Sequence, residues 1–299
     1  MKRILITGEN SYIGNKFEEW LEPYGDAYQV DTISVRGEDW KSVDFSTYDV
    51  VFHVAGIAHV STDPKMEELY YQVNRDLTID VAKKAKKEGV AQFIFMSSII
   101  VYGDGSSDLD VITRDTEPNP SNFYGESKLQ AERGIEPLSD DQFKVAIIRP
   151  PMIYGKGSKG NYPKLSKLAR LTPVFPNIEN QRSMLHVDNL TEFLRLVIDK
   201  QDNGLFFPQN KEYVKTSELV KQISKVHGKK VWLTRLFNPL IYLFINRVNT
   251  VNKVFGNLVY DKHLSQYKGS YNMVDLYRSL ERTESRQKYG EDDTNISKP

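Results

Sequence analysis

Lys2-Arg3-Ile4-Leu5-Ile6-Thr7-Gly8-Glu9-Asn10-Ser11-Tyr12-Ile13-Gly14 is the stretch whose reading settles the fold class. Lys2 to Thr7 is an apolar run of strand length, and residues 8–14 turn it into a helix. Ile13, Phe17, Trp20 and Leu21 come next at helical spacing and give that helix one buried face. A glycine turn between a strand and a helix N-terminus suits an anion, because backbone N–H groups point outward and the helix dipole favours negative charge. The spacing is Gly8-x-x-Ser11-x-x-Gly14. Serine stands where such loops often carry glycine, and it can still admit a pyrophosphate and donate a hydrogen bond. Gly8, Asn10, Ser11, Tyr12, Ile13 and Gly14 are therefore candidate phosphate contacts. Taken alone, the turn fits a plain strand-to-helix connection as well.

The pattern then repeats along the chain. Residues 28–35 form a second strand-like run that ends at Arg36. An acid at this strand end would bind the adenosine ribose of NAD, whereas an arginine accommodates the extra phosphate of NADP. Ser34 and Arg36 occupy the position and Asp31 falls too early, so NADP(H) is expected over NAD(H); a solvated Arg36 is the competing reading. Asp44-Phe45, also candidate cofactor contacts, precede a third strand, Val50-Val51-Phe52-His53-Val54-Ala55-Gly56. The small residues at its end let a backbone approach a cofactor closely. Helices are expected over residues 65–71 and 77–87, the second with a lysine-rich solvated face capped by Gly89. Phe93-Ile94-Phe95-Met96 then reads as a buried strand delivering Ser97 and Ser98. Alternating strands and helices predict an α/β fold: a Rossmann-like doubly wound parallel sheet with helices on both faces.

At 299 residues the chain can bury a substantial core as one large domain or two small ones. Lys+Arg and Asp+Glu both number 40, so no overall field draws in nucleic acid or an anionic membrane. Cysteine is absent, which removes disulfides, thiolate metal sites and cysteine nucleophiles. His53 and His59 have no acidic or cysteine neighbour at ligand spacing, and no metal is expected. The N-terminus enters a strand too quickly for a signal peptide. The apolar residues 239–245 are far too few to span a bilayer and are expected as a buried helix, with a partner surface as the alternative. The cytoplasm is the expected address.

The chemistry is concentrated in two pieces, Ser97-Ser98-Ile99-Ile100-Val101-Tyr102-Gly103 and Tyr124-Gly125-Glu126-Ser127-Lys128. Tyr124 and Lys128 share a helix face at i and i+4. With a serine hydroxyl they make a proton donor, a cation to tune it and a group to hold an oxygen, the set needed for ketone–alcohol exchange. A free tyrosine has a pKa near 10, so ionisation near neutrality asks for a drop of about three units, or about 4 kcal/mol. Lys128 is expected to supply part of that drop.

Taken together, Thr7-Gly8…Gly14, His53-Val54-Ala55-Gly56, Val73-Asn74, Ser97 to Gly103, Tyr124…Lys128 and Arg149-Pro150…Tyr154-Gly155 resemble an extended short-chain dehydrogenase/reductase of the nucleotide-sugar epimerase/dehydratase branch, from residue 4 to about 190. The resemblance implies that Tyr124 is the acid/base and that Lys128 also holds the nicotinamide ribose. It gives Ser98 the hydrogen bond to the reacting oxygen. Asn74, Ser97 and Pro150 join the cofactor contacts. Dehydratases of this family carry Asp-Glu directly after the serine; Ile99 and Ile100 cannot move protons, which argues against dehydration.

In the second half, residues 155–162 are expected as a basic loop able to close over a ligand, with Asn161 a substrate contact. Gln181-Arg182-Ser183-Met184-Leu185-His186-Val187 resembles the family segment whose arginine binds the nucleotide diphosphate, making Arg182 the matching residue. Ser183 replaces the usual acid there, and His186 reads as structural. The expected organisation is a dinucleotide-binding domain over 1–150, a mainly substrate lobe over 151–286 and a loose tail over 287–299. A helix near 190–200 is expected to pack back on the first domain. Several phrases, including Asn180-Gln181-Arg182-Ser183 and Lys253-Val254-Phe255-Gly256-Asn257-Leu258-Val259-Tyr260, look closest to reductases of bacterial surface-polysaccharide synthesis. The resemblance thus implies reduction at C4 of a UDP-linked 4-keto-6-deoxy-N-acetylhexosamine; a UDP-sugar 4-epimerase with tightly held NAD is the alternative. Homodimers are usual among relatives.

Overall fold

Everything in the site is placed relative to the C-terminal end of strand β1 (Lys2–Thr7). In the computed structural model, which describes residues 1–57, 63–103, 111–245 and 247–285, the first half continues through α1 (Tyr12–Leu21), β2 (Tyr28–Ile33), β3 (Val50–His53), α2 (Glu67–Tyr70), α3 (Leu77–Lys87), β4 (Gln92–Met96), β5 (Val111–Ile112), α4 (Phe123–Ile135) and β6 (Lys144–Ile148). Then come β7 (Met152–Tyr154), α5 (Asn161–Leu171), β8 (Val174–Pro176), β9 (Met184–His186), α6 (Val187–Lys200) and β10 (Gly204–Phe206). The last part holds α7 (Thr216–Val226), β11 (Trp232–Thr234), α8 (Asn238–Phe244), α9 (Asn249–Phe255), β12 (Val259–Tyr260) and α10 (Leu276–Glu284). His59 and residues 287–299 lie outside the described residues.

Six strands form one parallel sheet in the order β10-β6-β4-β3-β1-β2. The winding reverses between β1 and β3, the point at which open sheets of this kind form a crevice at the carboxyl ends of their strands. Alternation along each strand feeds two apolar layers. Ile4, Ile6, Phe52, Ile94 and Ile148 face α1 and α6. Leu5, Val51, Phe93, Phe95 and Ile147 face α3 and α4. In the first layer Phe17 meets Phe52 edge to face at 5.4 Å, and burying such a ring contributes about 1.5–3 kcal/mol. Leu190, Phe193, Leu194, Val197 and Ile198 bring α6 onto this layer, so a late segment completes the early sheet. A further core joins α5, α7 and α10 through Tyr162, Leu219, Ile223 and Leu280.

Several boundaries differ from the sequence reading. β2 stops at Ile33, because the Ile33 carbonyl turns to accept from the amides of Gly8 and Glu9. Residues 64–87 run on as one helical stretch through a π-helical segment, Tyr71–Asp76. Asn161 and Tyr162 begin α5 instead of lying in the loop; Tyr162 is buried and donates to Glu284 at 2.8 Å. The expectation of a buried helix at residues 239–245 is overturned: α8 contains no buried residue.

Candidate active site

The first wall of the crevice is the turn over residues 8–14. Gly8 has φ +142, and a Cβ on it would lie 2.8 Å from the Ala55 amide nitrogen, so the turn presses against the end of β3 where only glycine fits. Asn10 takes the left-handed φ of 61, which asparagine tolerates better than most residues. The Ser11 oxygen caps α1 by accepting from the Gly14 amide at 3.0 Å, which leaves its proton for an outside acceptor. The amides of Tyr12 and Ile13 open the helix, where no intrahelical acceptor exists. These outward donors fit a pyrophosphate. The Tyr12 ring points elsewhere: a Cβ on Gly155 would come 2.7 Å from its hydroxyl oxygen, which is buried without a hydrogen bond.

At the neighbouring strand end, Ser34 is half-buried, its hydroxyl accepting from the Arg36 amide at 3.4 Å, and Arg36 is exposed. Asp31 lies two residues before the end of β2 and accepts from the Gln29 side-chain amide at 3.5 Å. Asp44 is exposed and accepts from the amide and hydroxyl of Ser46, which holds its carboxyl below the usual range. The Phe45 ring belongs to the core, and its amide donates to Glu88 at 2.7 Å.

The candidate reactive groups meet where β4 ends. Ser98 opens a 3₁₀ turn, Ile99–Tyr102, and accepts from the Ile100 amide at 3.3 Å. Asn122 caps α4, which begins at Phe123. Gly125 lets this helix lie flat on the turn: a Cβ there would be 2.8 Å from the Ile100 carbonyl oxygen. The Tyr124 hydroxyl is thereby hydrogen-bonded to Ser98. Burial pushes Tyr124 up to about 12, with the Ser98 bond pulling the other way. One turn on, Lys128 donates to the Met96 carbonyl at 2.9 Å and stands 4.6 Å over the Phe95 ring. Burial lowers it to about 8, opposed by Glu132. The expected lysine-driven depression of Tyr124 is thus not found in the protein alone. Desolvation dominates, and the ammonium is turned onto Met96.

Supporting groups hold this arrangement. Asn74, on the π-helical segment, accepts from the Ile57 amide at 2.8 Å and donates to Ser127 at 3.1 Å, tying the β3 exit to α4. A Cβ on Gly56 would lie 3.0 Å from the Asn74 side-chain oxygen and 3.2 Å from the Lys128 nitrogen. His53 lies below, between Thr7 at 2.7 Å and Thr78 at 3.1 Å, and burial lowers it to about 3, so it is neutral. Ser97 commits its hydroxyl to Glu132 rather than to the crevice, and Glu132 pairs with Arg149 at 2.5 Å. The carbonyl of Pro150 accepts from the Ile99 amide at 2.9 Å.

The structure therefore gathers the 8–14 turn, residues 54–56, Asn74, Ser98, Tyr124 and Lys128 along one crevice, with Ser34 and Arg36 at the next strand end. Asp44 and Phe45 are set by surface turn and core, respectively. Asn161 is exposed at the start of α5. Arg182 bridges in backbone to Val214 and Leu258, and its guanidinium donates to the Gly256 carbonyl at 3.0 Å. Ser183, where the family has an acid, is bonded to Gln209 at 2.5 Å. His186 caps α6 and is lowered to about 4 by burial. Sequence reasoning missed Glu132 and Arg149; the signal available was Glu132 at i+4 from Lys128.

Residues 4–207 match the NAD dependent epimerase/dehydratase family. The chain is 31% identical over 292 residues to the UDP-glucose 4-epimerase of Vibrio cholerae, covering 87% of each. It is 30% identical over 230 residues to the N-acetyl-alpha-D-glucosaminyl-diphospho-ditrans,octacis-undecaprenol 4-epimerase of Escherichia coli O157:H7, covering 74% of this chain and 68% of that one. The UDP-glucuronic acid 4-epimerase of Bacillus cereus, solved with NAD, shares the fold with a TM-score of 0.71 at 18% identity, covering 94% of this chain and 97% of that one.

Proposed function

Because the chain belongs to the NAD-dependent epimerase/dehydratase family, we propose that it is an NADPH-dependent reductase acting on the C4 ketone of a UDP-linked 4-keto-6-deoxy-N-acetylhexosamine. The observation that carries the reading is the end of β2. Arg36 stands exposed just past the half-buried Ser34, while Asp31 falls two residues before the strand ends, so the adenosine ribose is offered a hydroxyl and a cation rather than a carboxylate. That preference suits NADPH taken up and released at each turnover. When bound, the nicotinamide supplies the hydride.

The protein's own groups do the rest. The 8–14 turn holds the pyrophosphate, and the close approach at Gly56 leaves Lys128 beside the cofactor ribose. Tyr124, protonated at neutral pH, gives its proton to the C4 oxygen as that carbon becomes an alcohol. Ser98 hydrogen-bonds the same oxygen and stabilises its developing charge. Ile99 and Ile100 leave no acid or base for dehydration directly after the serine. Arg182 grips the diphosphate and Asn161 the sugar, so residues 151–286 mainly serve the substrate.

A second reading, a UDP-sugar 4-epimerase with retained NAD, is favoured by the 31% identity to the Vibrio cholerae enzyme across 87% of the chain. One assay separates the two. Purified protein with NADPH and a UDP-4-keto-6-deoxy-N-acetylhexosamine is expected to consume reduced cofactor in proportion to ketone. Interconversion of UDP-sugar C4 epimers with no net consumption would replace the reductase by the epimerase.

A further inference from the structure

Residues 232–243 carry an apolar surface that the sugar chemistry does not use. Trp232 is 64% exposed, Leu236 79% and Leu240 59%, with Phe237, Tyr242 and Leu243 each about half exposed. No side chain of α8 is buried, so this helix is not held by a core. The β8–β11 pairing sets Val174 beside Trp232 and widens the apolar area. Asn238 fastens the start of α8 to the Asn177 carbonyl at 2.9 Å, at the end of the same ribbon. An exposed apolar patch of this kind marks a surface that meets something else.

Charge says what. Residues 155–178 and 219–260 contain twelve Lys and Arg and no Asp or Glu, in a chain whose totals are 40 and 40. Cations flank the patch directly: the Lys230 ammonium stands 4.4 Å over the Trp232 ring, and Lys229 donates to the Arg170 carbonyl at 2.6 Å. A second copy docked here by two-fold symmetry would bring these cations against themselves. An anionic lipid surface complements them instead. Tryptophan and tyrosine are also the side chains that settle at the boundary between headgroups and acyl chains. Among the described residues no helix is long and apolar enough to cross a membrane, so the contact would be interfacial.

We propose that the surface built on residues 232–243 seats this protein peripherally on an anionic phospholipid bilayer. The proposal is independent of which sugar reaction the crevice performs. In flotation with phosphatidylcholine/phosphatidylglycerol vesicles, the full chain should rise with the lipid, and about tenfold less should rise with phosphatidylcholine alone. The double variant L240E/L243E should lose about tenfold or more of the bound fraction while its melting temperature and NADPH binding stay unchanged. R235E/R247E should lose the preference for phosphatidylglycerol. As a measurement on native-like protein, brominated lipid should quench tryptophan fluorescence, and Trp232→Phe should abolish that quenching. Wild-type protein that stays at the bottom with anionic vesicles overturns the proposal. So does an L240E/L243E variant that floats as well as wild type. Sedimentation showing a dimer that L240E/L243E splits, with no flotation, would assign the patch to a second copy.

Discussion

At the scale of single residues, the proposed function turns on Tyr124 and Lys128, whose shifts are opposed. Burial holds Tyr124 at about 12 and Lys128 at about 8, so near neutrality the tyrosine carries a proton to give and the lysine its charge. Lys128 loses that charge as pH rises through about 8. The expected kcat/KM for ketone reduction is therefore level below about pH 8 and falls above it, by roughly tenfold per unit at the limit. In Lys128→Met the descending limb should disappear onto a lower plateau; a wild-type profile that stays level well past 8 would detach the rate from Lys128. Tyr124→Phe should abolish turnover and leave NADPH binding largely intact, and a variant keeping a tenth of the rate would remove Tyr124 from this role. Arg36→Glu should weaken NADPH more than NADH in a binding titration. Equal losses would show that Arg36 does not contact the extra phosphate. The pairing of Tyr124 with Lys128 was legible because their spacing is local, whereas Ser98, 26 positions earlier, was pointed to by the resemblance. The ionisation of the pair was not legible, since desolvation comes from chain segments distant in sequence.

Among elements, the decisive contact is between α4 and the 3₁₀ turn after β4. Asn122 caps the helix, and Gly125 removes the side chain that would hold it off the turn. Gly125→Ala places a methyl 2.8 Å from the Ile100 carbonyl and 3.0 Å from the Pro120 Cβ, and neither backbone nor proline ring yields easily. The variant should lose about 1–3 kcal/mol in urea unfolding and lower kcat much more than it weakens NADPH binding. Unchanged kcat would show that Tyr124 can reach Ser98 without this close packing. The helix at residues 123–135 could be anticipated from its pattern, but its height above the turn could not. The π-helical segment was equally hidden: it carries Asn74, whose bonds to Ile57 and Ser127 exist only once the β3 exit and α4 are adjacent.

Across the whole molecule, the late chain is tied to a buried ion pair of the first half. Glu132 on α4 receives Arg149 and Ser97, Arg149 also donates to Tyr102 at 2.5 Å, and Tyr260 from the late chain donates to the Arg149 carbonyl at 2.9 Å. Glu132→Ala strands a buried guanidinium and should cost about 3–5 kcal/mol, whereas E132L/R149M, which removes both charges, should cost clearly less. Equal losses in denaturant unfolding would mean that the pair stabilises by packing alone.

The parallel sheet, the candidate phosphate turn and the Tyr124–Lys128 pair were written in local patterns: strand and helix periods, a glycine spacing, an i,i+4 pair. Each rests on neighbours within one or two turns of chain, where geometry comes directly from residue order. The late half was less readable. Asn161 moved from loop to helix because Tyr162 finds Glu284, 122 positions on. Residues 239–245 look like core by composition and lie on the surface, because none of the described residues covers them. Hydrophobicity specifies that a side chain gains by leaving water. Which surface receives it, the protein's own interior or another phase, depends on what the finished fold leaves uncovered.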